Sequence, residues 1–128
     1  MDKEQAIHTF WSSFGWTAID ENSAFDEPTM ESMGVDFPYI AYDVSTGSQG
    51  EAVSLTASLY DRSTSWMRVS QKAEEIAHYL EGSVTMEIEG GYVVFYQGVP
   101  FSTRLSEDSD SEIRRVTLNV DARFMTGW

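Results

Sequence analysis

Between residues 52 and 82 the apolar positions of the chain change period, from every second residue to the spacing of a helix. Val53, Leu55, Ala57 and Leu59 alternate with Ser54, Thr56, Ser58 and Tyr60, which predicts a strand with one buried face. After Asp61 and Arg62, the residues Trp66, Val69, Ala73, Ile76, Ala77 and Leu80 form a stripe down one side of a helix. The hydroxyls of Ser63, Thr64 and Ser65 are placed to meet its first amides, and Gly82 stands where a left-handed cap ends such a helix. A strand feeding a helix is a packing unit. It carries no catalytic apparatus of its own.

The remaining pattern extends this unit in both directions. Asp2, three residues before Gln5, forms a capping box ahead of Ile7, Phe10, Trp11 and Phe14, so a first helix is expected, ended by Gly15. Residues 16–20 suggest a short strand. Pro38 opens another over residues 39–44, because proline is tolerated at the first position of a strand and not in its middle. Residues 21–36, with Pro28 and Gly34, have no period, and a long loop in a compact domain is more often functional than decorative. Residues 45–51, with Gly47 and Gly50, turn the chain.

Val84, Met86 and Ile88 then alternate with Thr85, Glu87 and Glu89, and Gly90-Gly91 marks a hairpin that returns through residues 92–96. Residues 97–112, from Pro100 and Phe101 into a run of serine and acid, suggest a loop. In the last strand Val116, Leu118, Val120, Ala122 and Phe124 alternate with polar residues, while Ile113 is out of phase, so a bulge is expected at Arg114-Arg115. The order predicts one α+β domain over residues 1–128, a mainly antiparallel sheet with two helices packed on one face. The apolar stripe of the second helix is expected to cover Val53, Leu55, Leu59, Val116, Leu118 and Val120.

Composition narrows the function classes. At 128 residues with 41% hydrophobic content the chain can bury one two-layer core. It has no cysteine, which removes disulfides and thiolate chemistry and suits a reducing cytoplasm. Residues 1–15 do not resemble a signal peptide, and no apolar run approaches a membrane span. Asp+Glu 21 against Lys+Arg 8 gives a formal charge of -13, which argues against a sequence-specific DNA reader. Solubility accounts for most of that charge; the sharper alternative is a surface past which a polyanion moves without sticking.

Candidate chemistry is sparse. His78 lies one helical turn from Glu74, Glu75 and Glu81, and His8 lies near Glu4, but a solvated polar face opposite the apolar stripe accounts for both. There is no Gly-x-Ser-x-Gly elbow and no phosphate-binding glycine loop, and Glu107 and Asp108 stand in a polar segment that would not separate their pKa values. No catalytic residue, cofactor or metal is therefore expected. Phe25, Met30, Met33, Val35 and Phe37 lie in or beside the long loop, where they either cover the domain's own core or order against a partner. Phe101, Arg104, Arg114 and Arg115 form a cationic-aromatic set whose arginines are expected on carboxylates, within the subunit or between neighbours.

The segment Phe37-Pro38-Tyr39-Ile40-Ala41-Tyr42 resembles the "PYI-x-Y" strand of tail terminator, or tail completion, proteins of long-tailed bacteriophages. An N-terminal helix with Phe14-Gly15, the strand over 54–60, the helix from Ser65-Trp66 through Leu80 and the final strand over 114–124 follow in the same order. The resemblance implies a non-enzymatic virion protein that forms a homo-oligomeric, six-fold ring. Such a ring caps the tail tube, ends its polymerisation and offers a docking face to a head-completion or neck protein. It needs no cofactor, lets DNA pass without specific binding and involves no membrane. Its implied place is the neck end of the virion tail, after assembly in the host cytoplasm.

On this resemblance Phe25, Met30, Met33, Phe37, Phe101 and Arg104 are the expected contacts with the tail tube or a neighbouring subunit. Glu107, Asp108, Asp110 and Glu112 are the expected channel-facing acids, although an ordinary solvated outer loop accounts for them equally. The segment over 21–36 exceeds what compact members carry. Two rival readings stay open: a neck or head-completion connector of the same virion class, and a small hydrolase or ligand-binding domain. The last requires a concave site with buried polar groups.

Overall fold

A computed structural model of the chain describes residues 1–20, 37–46, 52–106 and 113–126. The long loop expected at 21–36, the glycines Gly47 and Gly50, and the acidic stretch at 107–112 lie outside the described residues. The elements are α1 (Lys3–Ser12), β1 (Thr17–Asp20), β2 (Tyr39–Tyr42), β3 (Ala52–Arg62), α2 (Met67–Tyr79), β4 (Val84–Ile88), β5 (Gly91–Ser106) and β6 (Ile113–Thr126). The strands form one sheet in the order β1-β2-β3-β6-β5-β4, with β1 and β2 parallel and every other pair antiparallel. The fold is α+β, mostly antiparallel, as the pattern predicts.

Local signals act where they stand in the sequence. The Asp2 carboxylate accepts from the Gln5 amide at 2.8 Å while the Gln5 side chain accepts from the Asp2 amide, so the capping box is complete. At the start of α2 the Ser65 hydroxyl accepts from the Met67 amide at 3.1 Å, and Gly82 has φ 73° beyond its end. The hairpin turn falls on Glu89-Gly90, one residue earlier than expected, because Gly91 already pairs with Ile88 in the ladder. A side chain on Gly91 would collide with the Met125 carbonyl oxygen of the neighbouring strand.

Both helices pack on one face of the curled sheet. α1 touches the two outermost strands, β1 and β4, so the curl brings both edges of the sheet to one helix. Phe10 of α1 stacks on Phe95 of β5 at 4.4 Å and meets Trp11 edge-on at 4.9 Å. Val69, Ala73, Ile76 and Leu80 join Leu55, Leu59, Val116, Leu118 and Val120 in the same core, with Trp66 and Val53 at its margin, as the matched periods require.

Two expectations are corrected. β6 pairs with β3 without interruption from Arg62↔Ile113 to Ala52↔Arg123, so there is no bulge at Arg114-Arg115. Ile113 keeps its register and packs in a second cluster, with Ile19, Tyr39, Ala41 and Tyr60. The irregularity lies instead on β5, between Gln97 and Ser102, and the strand resumes beyond it to Ser106 where a loop was expected. Pairing with β6 holds this stretch extended despite Pro100, whose missing donor is tolerated at the bulge.

Candidate assembly interface

β4 covers β5 only from Gly91 to Phe95. Beyond that point β5 pairs with β6 on one side, and among the described residues no strand lies on the other. Between this open half and α2 is a cleft of ≈ 220 Å³, with Ala73, Phe101 and Val116 beside Ser70, Glu74 and Arg104. The bulge next to it is pinned. Gln97 donates to the Ala77 carbonyl at 2.9 Å, and Asn119 donates to the Pro100 carbonyl at 2.9 Å. Val99, at the bulge, is 97% exposed and takes no part in the core.

The arginines at this end of the sheet do not all find carboxylates. Arg68 takes the fully buried Asp61, its Nε donating to Oδ2 at 3.0 Å and its Nη2 to Oδ1. The hydrogen bond and charge of Asp61 raise the Arg68 pKa further, so the guanidinium stays charged. Arg114 faces Asp61 across the β3–β6 ladder but finds it occupied. Its guanidinium instead lies 5.4 Å from the Trp66 ring centre, its Nη2 donates to the Thr64 carbonyl at 3.1 Å, and its Nε is buried without a partner among the described residues. Arg104 lies 4.9 Å from the same ring and donates to the Ser70 hydroxyl at 3.2 Å. Two guanidinium groups thus share one indole.

Phe37 belongs to a different place. Its ring is 5.3 Å from Tyr39 with the Arg62 guanidinium 4.9 Å above it, and it packs at the margin of the second cluster. There Tyr39 stacks on Tyr60 at 4.9 Å, and Arg115 lies 5.4 Å over Tyr60 while donating to the Ser58 hydroxyl at 3.1 Å. Of the expected contact residues, Phe101 and Arg104 come together at the α2–β5 cleft, and Phe37 does not join them. Phe101 is half-buried against the main core and Arg104 is exposed. Phe25, Met30 and Met33, and the acids Glu107, Asp108, Asp110 and Glu112, lie outside the described residues.

The histidines hold local partners. His78 is 3.3 Å from Glu81, both exposed, and Glu75 pairs with Lys72 at 3.0 Å. Among the described residues no group of three or more histidine or acid side chains is arranged to hold a metal ion. His8 links two hydroxyls that its sequence neighbourhood does not predict together: Nδ1 is 2.8 Å from the Tyr42 phenol and Nε2 is 3.2 Å from the Ser12 hydroxyl. Burial, then the charges of Asp20 and Glu4, raise the Tyr42 pKa and keep that phenol neutral. The chain of hydrogen bonds orients these side chains.

Spacing alone could not reveal the Trp66 platform, because Trp66 stands at the N-cap of α2 while Arg104 and Arg114 lie on β5 and β6, far apart in the sequence. The available signal was compositional: six of the eight basic residues are arginine, and arginine is the cation that stacks on rings. No helix among the described residues is long and apolar enough to cross a membrane. Comparisons with protein-family models, curated proteins and solved structures return no match.

Proposed function

We propose that this chain is a structural assembly protein of a bacteriophage tail: copies form a ring that caps the tail tube, terminates its polymerisation and offers a surface for head joining. The reading starts from the resemblance carried by residues 37–42. The observation that supports it best is the open half of β5 beside the α2 cleft, a contact surface made of strand edge, exposed Val99 and shared arginines. It has no catalytic residue and no cofactor in this reading. Its partners are its own copies, the tube protein and a head-side neck protein, and DNA crosses the ring past carboxylates that do not bind phosphate.

The deciding measurement is the mass of the purified protein, alone and after mixing with tail tubes, together with tube length. A discrete ring that binds tube ends and stops their growth is the expected result. Binding to head-side proteins with no effect on tubes assigns the chain to the neck connector instead. A monomer indifferent to both ends the proposal.

A further inference from the structure

We propose that the open half of β5 and the adjoining α2 cleft receive an extended segment of a second copy of this chain, which adds a strand to the sheet and sets a carboxylate against Arg104. The inference rests on the self-assembly in the reading above and names the contact that carries it.

The backbone makes the first demand. In an antiparallel ladder alternate residues turn their N–H and C=O groups to opposite sides, so half of those in residues 102–106 point away from β6. Among the described residues no strand receives them. β4 already pairs with the same edge of β5 over Gly91 to Phe95, so an added strand would continue in line with it. Native sheets shield such edges with charge, proline or bulges. Here Pro100 and the bulge shield only the approach, and residues 102–106 are Ser, Thr, Arg, Leu and Ser, with Arg104 as their one charge.

The cleft makes the second demand. Every other side chain of an added strand faces α2, where Ala73, Phe101 and Val116 supply apolar contact within ≈ 220 Å³. Arg104 stands at the rim. Among the described residues neither it nor Arg114 pairs with a carboxylate, although the chain holds Asp+Glu 21 against Lys+Arg 8. A second copy brings the missing carboxylates. It also must offset the repulsion of two bodies of formal charge -13, which a contact centred on arginines does and a contact elsewhere on an acidic surface does not. A nucleic acid could answer the charge, but it offers no strand to the edge, and the rest of the surface repels it.

The test is amide hydrogen exchange of residues 102–105 followed against protein concentration, with light scattering on the same samples. Association should slow the amides turned away from β6 by at least about tenfold. Arg104→Glu, at an exposed position, and Ala77→Arg, which fills the cleft from α2, should each weaken association by about tenfold or more while the dilute protein melts as the wild type does. Association that leaves these amides fast, or variants that associate as the wild type does, would overturn the contact and leave self-assembly standing. Protection that appears only when tail tubes are added gives the edge to the tube protein and likewise overturns it. A wild-type monomer at every concentration removes both.

Discussion

Leu59 and Tyr60 are neighbours on β3, yet they face different worlds. Leu59 points to the helices and is fully buried among aliphatic and aromatic side chains. Tyr60 points the other way, where among the described residues no helix covers the sheet, with Tyr39 stacked on one side of it and Arg115 on the other. A face sealed by helices can be made of plain hydrocarbon. On the second face the described contacts are made by side chains with an apolar body and a polar rim, chiefly tyrosine and the stem of arginine. Arginine also lies over an aromatic ring at the start of α2, where Arg104 and Arg114 share Trp66 at the margin of the helix-side core.

The helix-covered face should break first and most. Leu118 is fully buried beneath α2, so Leu118→Ala is expected to cost about 2–5 kcal/mol, measured by urea unfolding. A loss near the ±0.5 kcal/mol or so typical of surface changes would mean that this face is not the core. The far face should yield less. Tyr60→Leu keeps apolar volume but removes the stack and the cation–π contact, for an expected loss of about 0.5–2 kcal/mol. Combining it with Arg115→Met should give less than the sum of the two single losses, since the pair shares one contact.

Tyr42 sharpens the comparison from the covered side, because its phenol is partly desolvated against α1 and hydrogen-bonded to His8. Its folded pKa is raised above the ordinary tyrosine value, so the native state holds the phenolic proton more tightly than the unfolded chain does. Stability from this group is complete below the unfolded pKa and falls as pH rises through the folded one. The melting temperature should therefore drop at alkaline pH, and Tyr42→Phe should flatten that drop. An identical alkaline profile in the variant would assign the fall to other groups. The smallest expected change in monomer stability is that of Arg104→Glu, within about 0.5 kcal/mol, because the residue is exposed.

Much of the fold was legible before any coordinates. The capping box at Asp2 and Gln5, the strand-to-helix switch after Arg62 and the alternation through Val116 and Phe124 are local patterns, and each formed where it was read. The second half of β5 was not legible. Its proline and serines, running into the acids that follow Ser106 in the sequence, describe a loop, and only the ladder to β6 makes residues 102–106 a strand. Ile113 misled in the opposite direction, since an apolar residue out of phase suggests a bulge when the sheet is assumed to have one buried face. It has a second, smaller apolar cluster on the other.

The candidate interface divides in the same way. Phe101 and Arg104 were singled out because aromatic and arginine side chains carry contact energy wherever they lie, a property of residue type. That they share a cleft with α2, that Arg104 shares Trp66 with Arg114, and that Arg68 rather than Arg114 claims Asp61 depended on which strands became neighbours. The sequence by itself determined the helices, most of the strands, their helix-side buried faces and the charge excess, because periodicity and composition are set within a few residues. Tertiary structure alone decided which edge of β5 is open among the described residues and how Arg68, Arg104 and Arg114 are partnered. Those follow from strand order and from competition for one carboxylate, and neither is written in any local stretch of chain.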